Sequence, residues 1–267
     1  ALGHNQQPLY SFLLALVSRW VPDFELAGEL VSSFFGILII FPVYFLGRRI
    51  FDEKVAFLSS LLLAIHPYLR RYSADVLKES TYLFFLATGL WFAWRTIDHG
   101  RKFPFLFIPL FSALAYLVRP DGIEIVLVAL FYILFIDKFH TPKEKWSIVL
   151  ILCLSSIFLF LPYLIHLRET GGEWTLSRGK TVTWFLGLKG TGEVSLIQRI
   201  IFALRELNSE FYGIYYFVYA FLLVIGLLKR GRSLFKRGEA FLFFLFILHY
   251  VVLFLFLLNL TEWRGRG

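Results

Sequence analysis

Eight apolar stretches, near 27–47, 55–70, 80–97, 103–119, 123–137, 146–166, 212–228 and 240–260, run through a chain of 267 residues. A helix needs about 20 mainly apolar residues to cross the roughly 30 Å hydrocarbon core of a bilayer. In lipid, backbone polar groups must be satisfied within each segment, so repeated spans of this length read as helices. Short aliphatic runs can also be buried strands, but eight of them separated by compact charged loops favour helices. The segments at 55–70, 103–119 and 123–137 are short for a full crossing. Hydrophobic residues make up 58% of the chain and charged ones 17%, against about 45–50% and about 25% in soluble domains. This balance excludes intrinsic disorder and argues against an ordinary water-soluble globule. The expected fold class is all-α: a polytopic transmembrane bundle of about eight helices with interfacial amphipathic helices on its outer face.

The charges set the expected orientation. Four short loops hold Arg48, Arg49 and Lys54; Arg95, Arg101 and Lys102; Lys138, Lys143 and Lys145; and Lys229, Arg230, Arg232, Lys236 and Arg237. These are fourteen of the 27 Lys and Arg residues, whereas the opposite short turns hold only Arg70, Arg71, Lys78 and Arg119. The positive-inside rule puts the four basic loops in the cytoplasm. The net charge of +8 is therefore read as topology rather than as a nucleic-acid patch. The N-terminus, the turns at 66–79 and 119–122 and the loop 167–211 then face outward, in a multi-pass protein of the cytoplasmic membrane. Within 167–211, Leu196, Ile197, Ile200, Ile201, Leu204 and Leu207 recur at helical spacing beside Gln198, Arg199, Arg205 and Glu206. That pattern fits an amphipathic helix on the outer membrane surface, and Pro8 to Trp20 reads in the same way. No fixed-period repeat appears, so residues 1–267 are expected to form one membrane domain. The chain begins at Ala1 and contains no Met, which suggests an internal piece of something longer.

No phosphate-binding Gly-rich loop, His-Glu-x-x-His or serine elbow is present, and no residue set has metal-site spacing. One Cys allows no intramolecular disulfide; Cys153, inside an apolar helix, reads as a packing residue. The polar residues gather instead in three outer clusters: His4-Asn5-Gln6-Gln7, His66 to Ser80, and Arg119-Pro120-Asp121-Gly122. The third joins two short helices; if they do not reach the full bilayer thickness it lies below the outer surface, where ionisable groups are costly and usually face a cavity. Each cluster also has a plainer explanation. Pro-Asp-Gly is good turn chemistry, and Arg119 can snorkel to headgroups. Asp75 and Glu79 share a face if helical, but equally pair with Arg71 and Lys78 in a solvated loop. His66 before Pro67 reads as a helix-end residue.

These clusters stand in an order that resembles membrane glycosyltransferases of the GT-C fold, specifically the family 39-like group of protein mannosyltransferases and aminoarabinose transferases. Gly3-His4-Asn5-Gln6-Gln7-Pro8-Leu9-Tyr10 with Phe12-Leu13-Leu14-Ala15-Leu16 is similar to their "G-H-x-P-P-L-Y-P-x-L-L-A-L". Glu29-Leu30-Val31-Ser32-Ser33-Phe34-Phe35-Gly36 resembles "R-L-V-S-A-L-F-G", and Tyr44-Phe45-Leu46-Gly47-Arg48-Arg49-Ile50-Phe51 resembles "Y-L-L-G-R-R-L-F". Arg71-Tyr72-Ser73-Ala74-Asp75-Val76-Leu77-Lys78-Glu79 is similar to "R-Y-S-R-D-x-L-S-E", and Leu117-Val118-Arg119-Pro120-Asp121-Gly122 to "L-T-R-P-E-G". The likeness covers residues 3–125, and departs from the pattern at Asn5-Gln6-Gln7 and at Glu29.

The resemblance implies transfer of a sugar from a polyprenyl-phosphate or polyprenyl-diphosphate donor to an acceptor on the outer face. Such enzymes use an acidic residue on the first outer loop as general base. Here that loop would precede Ala1, so the principal base is expected upstream. Cations at the outer level would stabilise the developing phosphate charge. The candidates are Arg70, Arg71 and Arg119, chosen for their bidentate forks, with His4 and Asp121 in the same binding set. Glu79, and Asp75 as the weaker choice, are the auxiliary carboxylates that orient the acceptor or assist the base. The expected partners are the lipid-linked donor and membrane lipid; no cofactor is expected, and the need for a divalent cation stays open. Two alternatives stay open. A transporter or flippase for lipid-linked sugars would show repeated halves and midplane charges. A non-catalytic subunit of envelope glycan assembly would need no base.

Overall fold

The computed structural model describes residues 7–99, 103–136, 140–171, 175–177 and 180–181. The candidate His4, the amphipathic helix expected near 196–207 and the apolar stretches at 212–228 and 240–260 lie outside the described residues. The other six stretches are helical. Helix α1 spans Pro8–Val17, α2 Phe24–Leu38, α3 Ile40–Ile50, α4 Glu53–Ile65, α5 Pro67–Ala74, α6 Glu79–His99, α7 Phe107–Tyr116, α8 Glu124–Phe131 and α9 Pro142–Gly171. Short 3-10 turns at Phe103–Leu106 and Pro120–Ile123 precede α7 and α8. A π-helical turn, Tyr132–Ile136, continues α8. The described residues are all-α in class; the one departure is local, a two-stranded antiparallel ribbon of Thr175–Ser177 and Lys180–Thr181, β1 and β2, inside the segment expected as an outer loop.

Helix boundaries follow local chemistry. Asp23 caps α2 by accepting from the amides of Glu25 at 2.9 Å and Leu26 at 3.4 Å, and Asp52 caps α4 through Val55 N–H at 2.8 Å. α2 and α3 form one run, Phe24–Ile50, of 27 residues, interrupted at Ile39. The interruption has a cause in Pro42, whose ring conflicts with the carbonyl of Leu38 four residues back. The stretch expected as one span over 55–70 is divided as well. His66 is extended (φ −64°, ψ 124°), as a residue before proline must be. The helix therefore ends at Ile65, and Pro67 opens α5, so much of the expected outer turn is a helix of its own.

Among the described residues, two runs are long and apolar enough to cross a membrane, Phe24–Ile50 with mean hydropathy 2.2 and Pro142–Glu169 with mean hydropathy 2.7. Their outward surfaces are apolar. Leu30, Phe34, Ile37 and Phe41 are exposed on the first, and Trp146, Leu150, Leu154, Ile157, Phe158, Leu161 and Ile165 on the second. Their inward faces pack into two main clusters. Phe105, Ile108, Ile125, Val128, Tyr132 and Leu152 lie where α6, α7, α8 and α9 meet. Tyr10, Val31, Phe35, Tyr82, Phe85, Ala115 and Val118 join α1, α2, α6 and α7.

Several chain ends meet on one side of this second cluster. The N–H of Leu9 at the start of α1 donates to the carbonyl of Leu117 just past α7 at 2.9 Å, and α6 begins beside them. The turn after α7 is pinned by Gly122. Its carbonyl accepts the Ser112 hydroxyl at 2.6 Å, and a Cβ at this position would lie 2.2 Å from the Tyr116 nitrogen and 2.4 Å from the Ala115 carbonyl carbon. Both are helix backbone atoms and cannot swing aside. Gly122→Ala should therefore destabilise the protein by about 1–3 kcal/mol, read as a lower thermal midpoint in detergent, while Gly89→Ala, which meets only side-chain atoms, costs less. A Gly122→Ala protein as stable as wild type would show that this close approach is not present.

Candidate functional site

The site lies where α1 starts, α6 starts and α7 ends. Arg119 precedes Pro120 and is therefore extended (φ −145°, ψ 140°), which carries its side chain away from α7 toward the first turn of α6. Two residues on, the Asp121 carboxylate accepts from Arg119 Nε at 3.2 Å and Nη2 at 2.9 Å. On the opposite edge, Glu79 Oε1 stands 3.7 Å from Nη1. That is an ion-pair distance but too long for a hydrogen bond. The guanidinium carbon lies 5.2 Å from the centre of the Tyr82 ring, over its face. All three charged side chains are partly withdrawn from solvent, at 37%, 24% and 30% exposure for Arg119, Glu79 and Asp121. Burial works against the charge of Arg119, but Asp121, Tyr82 and Glu79 outweigh it, and the pKa is raised above the ordinary arginine value. Arg119 is a fixed cation.

Beside Glu79 opens a cavity of about 200 Å³ lined by Tyr10, Ser11, Leu14, Val76, Leu77, Lys78 and Glu79. Its walls are held by α2, whose Gly28, Ser32, Ser33 and Gly36 present small side chains. The Tyr10 hydroxyl shares a 3.0 Å hydrogen bond with Ser32 Oγ, which donates to the Leu77 carbonyl at 2.9 Å. Ser33 Oγ donates to the Ser73 carbonyl at 2.7 Å. A Cβ on Gly28 would come within 2.4 Å of Val76 Cγ1, and one on Gly36 would collide with the Ser73 hydroxyl. Between the two helices, Leu77 has its carbonyl and N–H met by the Ser32 hydroxyl of α2, while Asp75 N–H still donates back to the Arg71 carbonyl and the Lys78 carbonyl accepts from Tyr82 N–H. Glu79 Oε2 is buried and takes no hydrogen bond from the described residues. The recess therefore has a cation, Lys78, and a carboxylate, Glu79, in its wall.

The structure brings Glu79, Arg119 and Asp121 together. Asp75 is separate: α5 ends at Ala74, Asp75 is its extended cap, and α6 starts at Glu79, so the two acids do not share a helix face. Asp75 instead accepts from Arg71 Nε at 3.2 Å, with the two side chains 49% and 73% exposed, a pair worth little to stability. Arg70 is exposed on the same helix and makes no ion pair among the described residues. Sequence reasoning passed over Lys78, Tyr10 and Ser11 in the cavity wall, Tyr82 beneath Arg119, and Glu124. The last is 4% exposed in the first turn of α8, within electrostatic reach of Tyr82. The spacing of Gly28, Ser32 and Gly36 was the one available signal, since small residues four apart mark a close helix contact. Among the described residues no group of His, Cys, Asp and Glu could hold a metal ion.

The sequence profile of one family, described as dolichyl-phosphate-mannose-protein mannosyltransferase, matches residues 5–166. No curated protein matches the chain, and no solved structure does. The matched region contains α1 to α8, most of α9, and every described residue of the site. It covers more than half of the sequence, and the protein belongs to the dolichyl-phosphate-mannose-protein mannosyltransferase family, a family of membrane glycosyltransferases of the GT-C type.

Proposed function

We propose that this protein transfers a sugar from a polyprenyl-phosphate donor to an acceptor hydroxyl on the extracytoplasmic face of the membrane, and that the recess between α1 and the start of α6 is where the two meet. The observation that carries this reading is the position of Arg119. It is locked on one edge by Asp121 and loosely faced on the other at 3.7 Å by Glu79, which itself lines a cavity with Lys78 in its wall. The Nη1 edge can turn to a phosphate oxygen without breaking a hydrogen bond. As the bond between the sugar's anomeric carbon and the phosphate oxygen breaks, negative charge grows on the leaving phosphate, and a preorganised guanidinium stabilises that charge. Glu79 is the auxiliary carboxylate. Its carboxylate, in the cavity wall, accepts a hydrogen bond from the acceptor's hydroxyl and aims the hydroxyl oxygen at the sugar. Asp121 keeps the guanidinium in place.

Arg70 and Arg71, exposed on α5, are proposed to meet the donor headgroup as it arrives, and His4 to complete the phosphate-binding set; Asp75 tethers Arg71. The same reading makes residues 1–267 one multi-pass domain of the cytoplasmic membrane, a bundle of about eight spans. Its basic loops lie inside, and the start of α1, the 66–79 segment and the 167–211 segment with its amphipathic helix lie outside. The long apolar runs Phe24–Ile50 and Pro142–Glu169 support a membrane setting.

Two measurements test this. In the protein in its native membrane, Arg119→Ala should lower sugar transfer from a lipid-phosphate donor by about 10²–10³-fold, and Arg119→Lys should recover only part of it because the fork is lost. Normal turnover in a normally expressed Arg119→Ala variant would remove Arg119 from the site. For the topology, single cysteines are placed at Arg70 and Lys54 in a Cys153→Ser background. An impermeant maleimide should label the first in intact cells and the second only after permeabilisation; the opposite pattern would invert the proposed orientation.

A further inference from the structure

We propose that Tyr82 is a positioning residue for Arg119, the aromatic platform that sets the tilt of the guanidinium toward the donor phosphate; the inference rests on the phosphate role given to Arg119 above. Glu79 and Tyr82 stand three residues apart in the first turn of α6 and share a face. A single helical turn therefore supplies a carboxylate for one edge of the guanidinium and a ring for its flat side. Asp121 and Glu79 act on the edges and pull within the guanidinium plane. Two edge contacts leave rotation about the line joining them, and the ring under Cζ, at 5.2 Å, removes it.

The platform is itself immobile. Tyr82 is 6% exposed and sits in the cluster with Tyr10, Phe35, Phe85, Ala115 and Val118. Val118, next to Arg119 in sequence, is wholly buried in the same cluster. The backbone that delivers the arginine and the ring that receives it are thus parts of one packed unit. The face of an aromatic ring is negative, and its attraction for a guanidinium strengthens when solvent is excluded. An aliphatic side chain would fill the space but leave the plane free to turn. The ring rather than the hydroxyl carries the effect, because it is the ring that lies beneath the cation.

The test measures affinity for polyprenyl phosphate, the leaving group alone, by tryptophan fluorescence of the intact protein in nanodiscs. Tyr82→Leu should weaken binding by about 3- to 30-fold, and Tyr82→Phe should restore it to within about twofold of wild type. In an Arg119→Ala background, Tyr82→Leu should have no further effect, because a residue acting through Arg119 loses its influence when Arg119 is gone. A residue that merely supports the fold would weaken both backgrounds equally, and that additive result would overturn the inference, as would wild-type affinity in Tyr82→Leu. Should Tyr82→Leu not fold, Tyr82→Met fills the site with an unbranched chain and is read in the same way. Arg119→Ala binding as tightly as wild type, or a wild type that does not bind the probe, would sink the donor reading instead. Weakened Arg119→Ala with unaffected Tyr82→Leu would sink the platform alone.

Discussion

The seat that α2 offers to residues 73–77 is the contact on which the site depends. Gly28 and Gly36 leave no room for a Cβ against Val76 and Ser73, and the Ser32 and Ser33 hydroxyls answer the carbonyls of Leu77, just past α5, and Ser73, in its last turn. Helix α1 is tied to the same place by Tyr10, whose hydroxyl meets Ser32. Without this seat, Val76 and Leu77 would have no fixed position, the recess would lose a wall, and α6 would not start with Glu79 turned toward Arg119. Small residues here do the work that bulky ones do in the clusters. They let polar backbone approach closely enough to satisfy itself where water is scarce.

Around that seat the few charges divide by burial. The exposed Arg71–Asp75 pair is held in high dielectric and can open readily. The Arg119, Asp121 and Glu79 group is drawn inward beside Tyr82 and the buried Glu124, where the dielectric is lower and each interaction counts for more. A cation kept among acids in this way costs desolvation energy, and such an arrangement is retained where a partly buried charge has a task. Under the function proposed above, that task is to meet the phosphate leaving group of a lipid-linked donor.

Much of the helical order is visible in the sequence because proline, aspartate caps and apolar run length act over a few residues. The breaks at Leu38 and Ile65 follow from Pro42 and Pro67, and the direction of Arg119 from Pro120. Pro67 also shows where run length misleads. A stretch uniformly apolar through Ile65 and resumed at Leu69 reads as one span, yet one ring turns it into α4 and α5. The choice of Glu79 over Asp75 came from motif likeness; in the structure Glu79 faces Arg119 and Asp75 pairs with Arg71. Lys78 and Tyr82 were not visible as site residues. Both sit among ordinary-looking neighbours, and their relation to Arg119 and to α1 spans contacts tens of residues apart.

The sequence by itself determined which segments are helices, where most of them stop and which polar clusters are available, because hydrophobic period, turn chemistry and charge bias are local properties of the chain. Only the tertiary structure decided which charges meet. Asp75 is extended past the end of α5 and α6 starts only at Glu79, so the i,i+4 relation that would have put the two acids on one face does not form, and Glu79 meets Arg119 from a turn about forty residues away. That outcome turns on whether two helix backbones approach closely enough for Gly28, Ser32 and Gly122 to fit. Such an approach is fixed by the packing of all the surrounding side chains at once, and no segment carries it alone.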